Sequence, residues 1–350
     1  MASIADAVVL QRAGLITLEP RGCGEPLQNE IVVAPRAVGI CGSDLHLYRD
    51  GHIGDSVVES PLVLGHEAAG TVVAVGSRVD GFQLGDRVIV EPGLACGDCR
   101  LCRLGRYNLC ERVRFLGIPP TDGLMVGRVC VPARWVHHLP DRLTDAEGAM
   151  IEPFAVGLQA AEEAGIVPGQ NVVILGAGPI GLMILQAARI RGAAKVISID
   201  LVDNNLAAAV RLGASVAINP RAVDVVAAVR DACGGDGADV VIEAVGAAAT
   251  IRQTLELVRR GGVVTLVGIS SDAAVPLNVN HVVRRGIQVR STFRYAHQHP
   301  TAIALAAQGR VDLLSPITHR FAAREAVEAF RYVDQNKSEV IKGIIEFAAS

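Results

Sequence analysis

Aromatic side chains are scarce: one Trp, four Tyr and seven Phe in 350 residues, 3% of the chain. Yet 50% of the residues are hydrophobic and 37 are glycine. The core must therefore be packed from small and β-branched side chains, as in α/β and β-rich folds. An excess of one charge is also missing. The net charge is −3, and like charges meet only in pairs such as Arg259-Arg260 and Arg284-Arg285, which read as solvated faces. So small a net charge gives no argument for nucleic acid or acidic partners. No uninterrupted apolar run reaches membrane length. The most hydrophobic stretch, NVVILGAGPIGLMILQAARI, holds three glycines and a proline and runs into arginines. It reads as a buried strand, a turn and a helix rather than a membrane span. The N-terminal MASIADAVVLQRAG has no basic segment followed by an apolar core, so it does not look like a secretory leader. A cytoplasmic protein is expected, with a small-molecule partner and neither nucleic acid nor membrane. There cysteines stay reduced and bind metal or react rather than pair.

At about 100–200 residues per domain, the chain is long enough for two. Up to about residue 155, short β-like runs are cut by Gly and Pro: IVVAPRAVGI, AAGTVVAVG, DRVIVEPG. That pattern predicts an antiparallel, barrel-like domain. Over 171–293 the rhythm changes. The runs NVVILG, KVISID, SVAIN, DVVIEAVG, GVVTLVG and IQVRSTF alternate with helical stretches such as IGLMILQAARIRG and AATIRQTLELVRRGG. Two-sided apolar strands alternating with helices predict a doubly wound parallel sheet. The tail, 294–350, holds one helix, AAREAVEAFRYV, and a closing run, KGIIEF. Pattern leaves open which domain the tail joins.

Within the parallel sheet, Gly176-Ala177-Gly178-Pro179-Ile180-Gly181 follows a strand and opens a helix. The first glycine permits the turn, the second lets the backbone approach a pyrophosphate, and the third lets helix and strand pack closely. The helix N-terminus supplies N–H groups for phosphate. The next strand ends at Asp200, about 20 residues on, where a ribose-binding acid belongs. Its carboxylate repels a 2′-phosphate, and Leu201 to Asn205 offer no Arg or Lys to hold one. NAD is favoured over NADP.

Four cysteines, Cys96, Cys99, Cys102 and Cys110, have the spacing C-x2-C-x2-C-x7-C. Four thiolates suit a closed tetrahedral zinc with no position left for substrate, a structural site. The chemistry is expected elsewhere: in VGICGSDLHLY (38–48), VLGHEAAG (63–70) and MIEPFAVG (150–157). These contribute Cys41, Ser43, His46, His66, Glu67 and Glu152. A catalytic zinc takes about three ligands from such a set and keeps an open position. Singly, each has an ordinary explanation: Cys41 a core residue, His66 a hydrogen-bonded loop histidine, Glu152 a helix-start carboxylate. His137, His138, His297 and His299 read as surface or packing residues, since no ligand-spaced residue accompanies them.

Taken together, GICGSDLH, VLGHEAAGTV, GDRV at 85–88, the four-cysteine loop, GRYNLC, MIEPFAVG, GAGPIGL, DVVIEAVGA, STFRY and ITHRF make the chain resemble the zinc-containing medium-chain dehydrogenases. Within them it is most similar to the polyol dehydrogenases of the sorbitol and xylitol type. The resemblance implies a GroES-like β-barrel catalytic domain, 1–155 and 294–350, carrying the structural-zinc loop 96–110, and an inserted Rossmann domain, 156–293. It implies that Cys41 and His66 bind the catalytic zinc, with Glu67 or Glu152 as the third ligand. Ser43 and His46 would relay the proton. Ile180, Asp200, Asn205, Val267, Gly268, Ile269, Thr292, Phe293 and Arg294 would join Gly176, Gly178, Pro179 and Gly181 around NAD. Ser43, Tyr48, Phe115, Glu152, Arg294 and Tyr295 would meet the substrate. The implied reaction oxidises a secondary hydroxyl of a sugar alcohol, at C2, to the ketose, in a homotetramer. The sequence departs from the family at Leu47, where sorbitol dehydrogenases commonly carry tyrosine, and at Asn205, where arginine is frequent. Alternatives are a threonine or 2,3-butanediol dehydrogenase of the same family, and a non-enzymatic binding protein on the same fold.

Overall fold

The computed structural model describes residues 3–272 and 274–348. The chain forms two compact units. The first comprises residues up to Glu152, His299–Gly309 and the chain from Ile317 onward; the second comprises Pro153–Gln298 and Arg310–Pro316. Among the described residues no helix is long and apolar enough to cross a membrane.

The first unit is built on the strand Glu30–Ile40, whose residues are almost all buried. It pairs antiparallel with Glu67–Val75 on one side and Lys342–Glu346 on the other, and with Val129–Pro132. The full sheet runs Val136–His138, Arg87–Val90, Glu67–Val75, Glu30–Ile40, Lys342–Glu346, Ile317–Ala322. Its register shifts between Pro35 and Ala37. Proline has no N–H for the ladder, so a bulge there resolves the mismatch. The helix Ala326–Gln335 packs on this core through Ala326, Ala329, Phe330 and Val333, one face at helical spacing. The closing run KGIIEF is thus a central strand beside Glu30–Ile40.

The second unit holds a six-stranded parallel sheet in the order Val216–Ile218, Lys195–Ile199, Asn171–Leu175, Ala238–Glu243, Val258–Leu266, Gln288–Ser291. These are the six apolar runs of the sequence. The order reverses between Asn171–Leu175 and Ala238–Glu243, the switch point at which such sheets bind ligands. One expectation changes. The stretch AATIRQTLELVRRGG is helical only over Ala248–Leu257; Val258 already starts the next strand. Val258 pairs with Ala238, and Gly261 has φ +68°, a conformation that a helix cannot continue through.

Phe330 is fully buried, edge-on to Tyr48 with ring centroids 6.0 Å apart. Phe330→Ala is expected to cost about 3–5 kcal/mol, read as a lower midpoint in chemical denaturation of the full chain.

Candidate active site and metal centres

Cys41 ends the central strand and caps the helix Gly42–Asp50. His66 and Glu67 open the strand Glu67–Val75. Neighbours in a regular strand face opposite ways. Gly65, at φ +89°, turns the chain just before them, and both side chains reach the same place. The Cys41 sulfur, a His66 nitrogen and a Glu67 oxygen all lie within 4.8 Å of one another. Gly39 makes the room: a Cβ there would sit 3.0 Å from Lys342 Cε and 3.1 Å from the Glu67 carboxyl carbon.

Two side chains not singled out from the sequence organise this cluster. Asp44 is buried; its carboxylate accepts from Cys41 N at 2.9 Å and Gly65 N at 3.1 Å, and lies 3.8 Å from His66 Nδ1. It ties the two ligand-bearing segments together. Lys342, on the closing strand, is buried against Glu67 as an ion pair. Burial pulls the Lys342 pKa down, but Glu67, Cys41 and Glu152 outweigh it and hold the ammonium charged. His66 behaves alike. Burial opposes its protonation, yet Asp44, Cys41 and Glu152 raise its pKa to about 10. The pocket therefore draws in positive charge. Among the described residues, buried Glu67 Oε1 has no hydrogen-bond partner. Thiolate, imidazole and an unsatisfied carboxylate oxygen in an anionic pocket fit a zinc ion.

Glu152, in the first turn of the helix Ile151–Glu163, is buried and close enough to act on His66 and Lys342, but lies outside the 4.8 Å group. Ser43 Oγ is 3.4 Å from His66 Nε2. His46, one turn on, is half exposed beside Asp50 and Arg49. The Phe115 ring stands edge-on to His66, centroids 5.4 Å apart. Tyr48 lies roughly 140° round the helix from Ser43, and its ring stands edge-on to Phe330.

The four cysteines of the 96–110 loop also converge within 4.8 Å. Their sulfurs are 3.8 Å (Cys96–Cys102), 3.9 Å (Cys99–Cys110) and 3.5 Å (Cys96–Cys110) apart. A tetrahedral zinc with bonds of about 2.3 Å needs edges of roughly 3.8 Å. The donor set fits that ion and leaves no open position.

In the second unit Gly176 turns at φ +97°, and Pro179 opens the helix Pro179–Ile190. A Cβ on Gly181 would lie 2.8 Å from Gly176 C, so only glycine allows this packing. Asp200 accepts from Ala177 N at 2.7 Å and from Val202 N at 2.8 Å, which aims its carboxylate across the glycine turn. Asn205 is buried, and among the described residues its Oδ1 has no hydrogen-bond partner. Val267 N and Gly268 N donate to Glu243 O, Thr292 N donates to Leu266 O, and Ile269 is exposed. Arg294 has φ +55°, a left-handed backbone rare for a non-glycine residue, and its guanidinium lies 4.6 Å from the Phe293 ring centroid. Tyr295 is buried.

The reading of His137 and His299 as unaccompanied needs correction. Glu91, His137 and His299 bring a ligand atom each within 4.8 Å. His299 is fully buried, and burial lowers its pKa to about 4, leaving the imidazole neutral. Three segments distant in sequence supply the group, so no spacing announces it. His138 fits the expectation of a packing residue, stacked on Phe82 at 4.6 Å.

Replacing Lys342 by Met removes the ion-pair partner of the buried Glu67 carboxylate. A loss of about 3–5 kcal/mol is expected for Lys342→Met in urea unfolding, with much of it recovered in the Lys342→Met/Glu67→Gln double variant.

Residues 27–141 match the alcohol dehydrogenase GroES-like domain family, and residues 179–308 the zinc-binding dehydrogenase family. A sorbitol dehydrogenase of Bacillus subtilis (strain 168) is 40% identical over 339 residues, 97% of this chain and 96% of that one. The crystal structure of L-idonate 5-dehydrogenase from Escherichia coli superposes with a TM-score of 0.92 at 28% identity, covering 99% of both chains. A protein of Sinorhizobium meliloti 1021, solved bound to NADP, has a TM-score of 0.91 at 34% identity, covering 98% of this chain and 99% of that one. Fold, donor sets and relatives agree: this chain belongs to the zinc-dependent medium-chain dehydrogenases and is an oxidoreductase of that family.

Proposed function

We propose that this protein oxidises a secondary hydroxyl of a sugar alcohol, at C2, to the ketose, with NAD as hydride acceptor. The observation that carries the proposal is the convergence of half-buried Cys41 with buried His66 and Glu67 on one anionic pocket. Those three residues would hold a catalytic zinc, and Cys96, Cys99, Cys102 and Cys110 a structural one. The sorbitol dehydrogenase relatives favour a polyol as substrate.

When bound, zinc lowers the pKa of a substrate hydroxyl, and NAD accepts the hydride. The chain's own residues do the rest. Asp44 fixes the loop geometry around His66. Lys342 pairs with Glu67 and orients its carboxylate. Ser43, beside His66, would receive the hydroxyl proton, and half-exposed His46 would pass it to solvent. Phe115 supplies an apolar wall that excludes water. Glu152 offers a buried carboxylate that can accept from a neighbouring hydroxyl of the substrate. Asp200 supports NAD, because its carboxylate stands where a 2′-phosphate would be repelled. A cytoplasmic homotetramer completes the proposal.

The test is a spectrophotometric screen for NADH with sorbitol, xylitol, galactitol, ribitol, L-arabinitol, threonine and 2,3-butanediol, on zinc-replete and chelated enzyme. Turnover of a polyol, lost on chelation and in Cys41→Ser, is expected. Activity confined to threonine or butanediol would overturn the substrate class. Asp200→Ala should narrow the preference for NAD over NADP by roughly tenfold or more in kcat/KM.

A further inference from the structure

Outside both cysteine-containing centres, a third group of ligating side chains lies in the first unit. Glu91 follows the strand Arg87–Val90, and its N–H donates to Trp135 O at 2.8 Å. His137 lies on the adjacent strand Val136–His138, paired opposite Ile89. Sheet hydrogen bonds therefore hold these two side chains in place. His299, near the start of the helix Gln298–Ala307, closes the group from a third element. Both histidines face one carboxylate oxygen: His137 Nε2 is 3.0 Å and His299 Nδ1 3.6 Å from Glu91 Oε2. The imidazole rings lie nearly parallel, at 15°, with centroids 5.3 Å apart. Tyr107 donates to the other oxygen, Oε1, at 2.7 Å, and so orients the carboxylate. Among the described residues the only basic side chains within 4 Å of this buried carboxylate are the two histidines.

We propose that Glu91, His137 and His299 form a third metal site that takes a first-row divalent ion such as zinc. Two imidazoles and one carboxylate are a recurrent donor set for such ions. Nitrogen and oxygen ligands at about 2.0–2.1 Å from a tetrahedral ion stand roughly 3.4 Å apart, and the gaps of 3.0 and 3.6 Å bracket that edge. The Tyr107 hydrogen bond is the outer contact that holds a ligating carboxylate in orientation. The ion would pin His299 to the strand Val136–His138 and to the residue that follows the strand Arg87–Val90. The site holds no sulfur, and that difference makes it separable from the other two.

The experiment loads the full-length protein with Co²⁺, passes it into metal-free buffer and counts cobalt per chain by mass spectrometry. The thiolate-to-cobalt charge-transfer absorption is recorded alongside. Wild type is expected to carry one equivalent beyond those that account for that absorption. His299→Phe, which keeps an aromatic in the core, should lose that equivalent with the absorption unchanged. His137→Gln, at a partly exposed position, should do the same and decides the matter if His299→Phe does not fold. A cobalt count equal in wild type and His137→Gln overturns the proposal, and the group is then a hydrogen-bond network around Glu91. So does a loss that takes the thiolate absorption with it. Failure of the Cys41, His66 and Glu67 reading would show in that absorption in wild type and leaves this count untouched.

Discussion

Negative charge buried where water cannot reach is the constraint on which the catalytic half depends. Asp44, Glu67 and Glu152 are all buried around Cys41. Each carboxylate taken out of water costs several kcal/mol unless it is paired or hydrogen-bonded. The surroundings answer that cost. Lys342 comes from a distant strand to pair with Glu67, backbone N–H groups of Cys41 and Gly65 serve Asp44, and His66 takes up a proton far above its ordinary range. A divalent cation answers the same demand more fully, and the chain offers it a thiolate, an imidazole and a free carboxylate oxygen. Stability and metal affinity thus share one electrostatic origin.

The parallel sheet was legible because its strands are buried on both faces, and such strands read as apolar runs from Asn171–Leu175 to Gln288–Ser291. The glycine turn was legible because Gly176 and Gly181 meet steric demands that no other residue satisfies. The helix boundary at Leu257 was not. Nothing in VRRGG marks the strand start except pairing with Ala238, a tertiary contact.

The candidate site divides on the same line. Cys41, His66 and Glu67 stood out by residue type. Asp44 and Lys342 did not, because their importance lies in partners brought by folding; a lone lysine near the end of a sequence reads as solvated. Glu91, His137 and His299 show the limit most plainly. A loop of four cysteines announces itself by spacing, whereas ligands drawn from three separate elements have no spacing to read. A local pattern can nominate donors, but only sheet register can assemble these.

Lys342–Glu346 also sets an order of events. The sheet of the second unit is complete by Ser291, while the central strand Glu30–Ile40 lacks one flank until Lys342–Glu346 is made. Chains emerge from the ribosome N-terminal end first, and domains tend to fold as units. The nucleotide-binding half can therefore mature while the barrel still waits for its last central strand. Until that strand docks, Glu67 lacks its ion pair with Lys342 and Cys41 stands beside an unfilled strand position, accessible to oxidants. Metal capture is thereby tied to the docking of Lys342–Glu346, and a thiol left waiting in a chain stalled before that strand becomes a point of oxidative damage rather than a ligand.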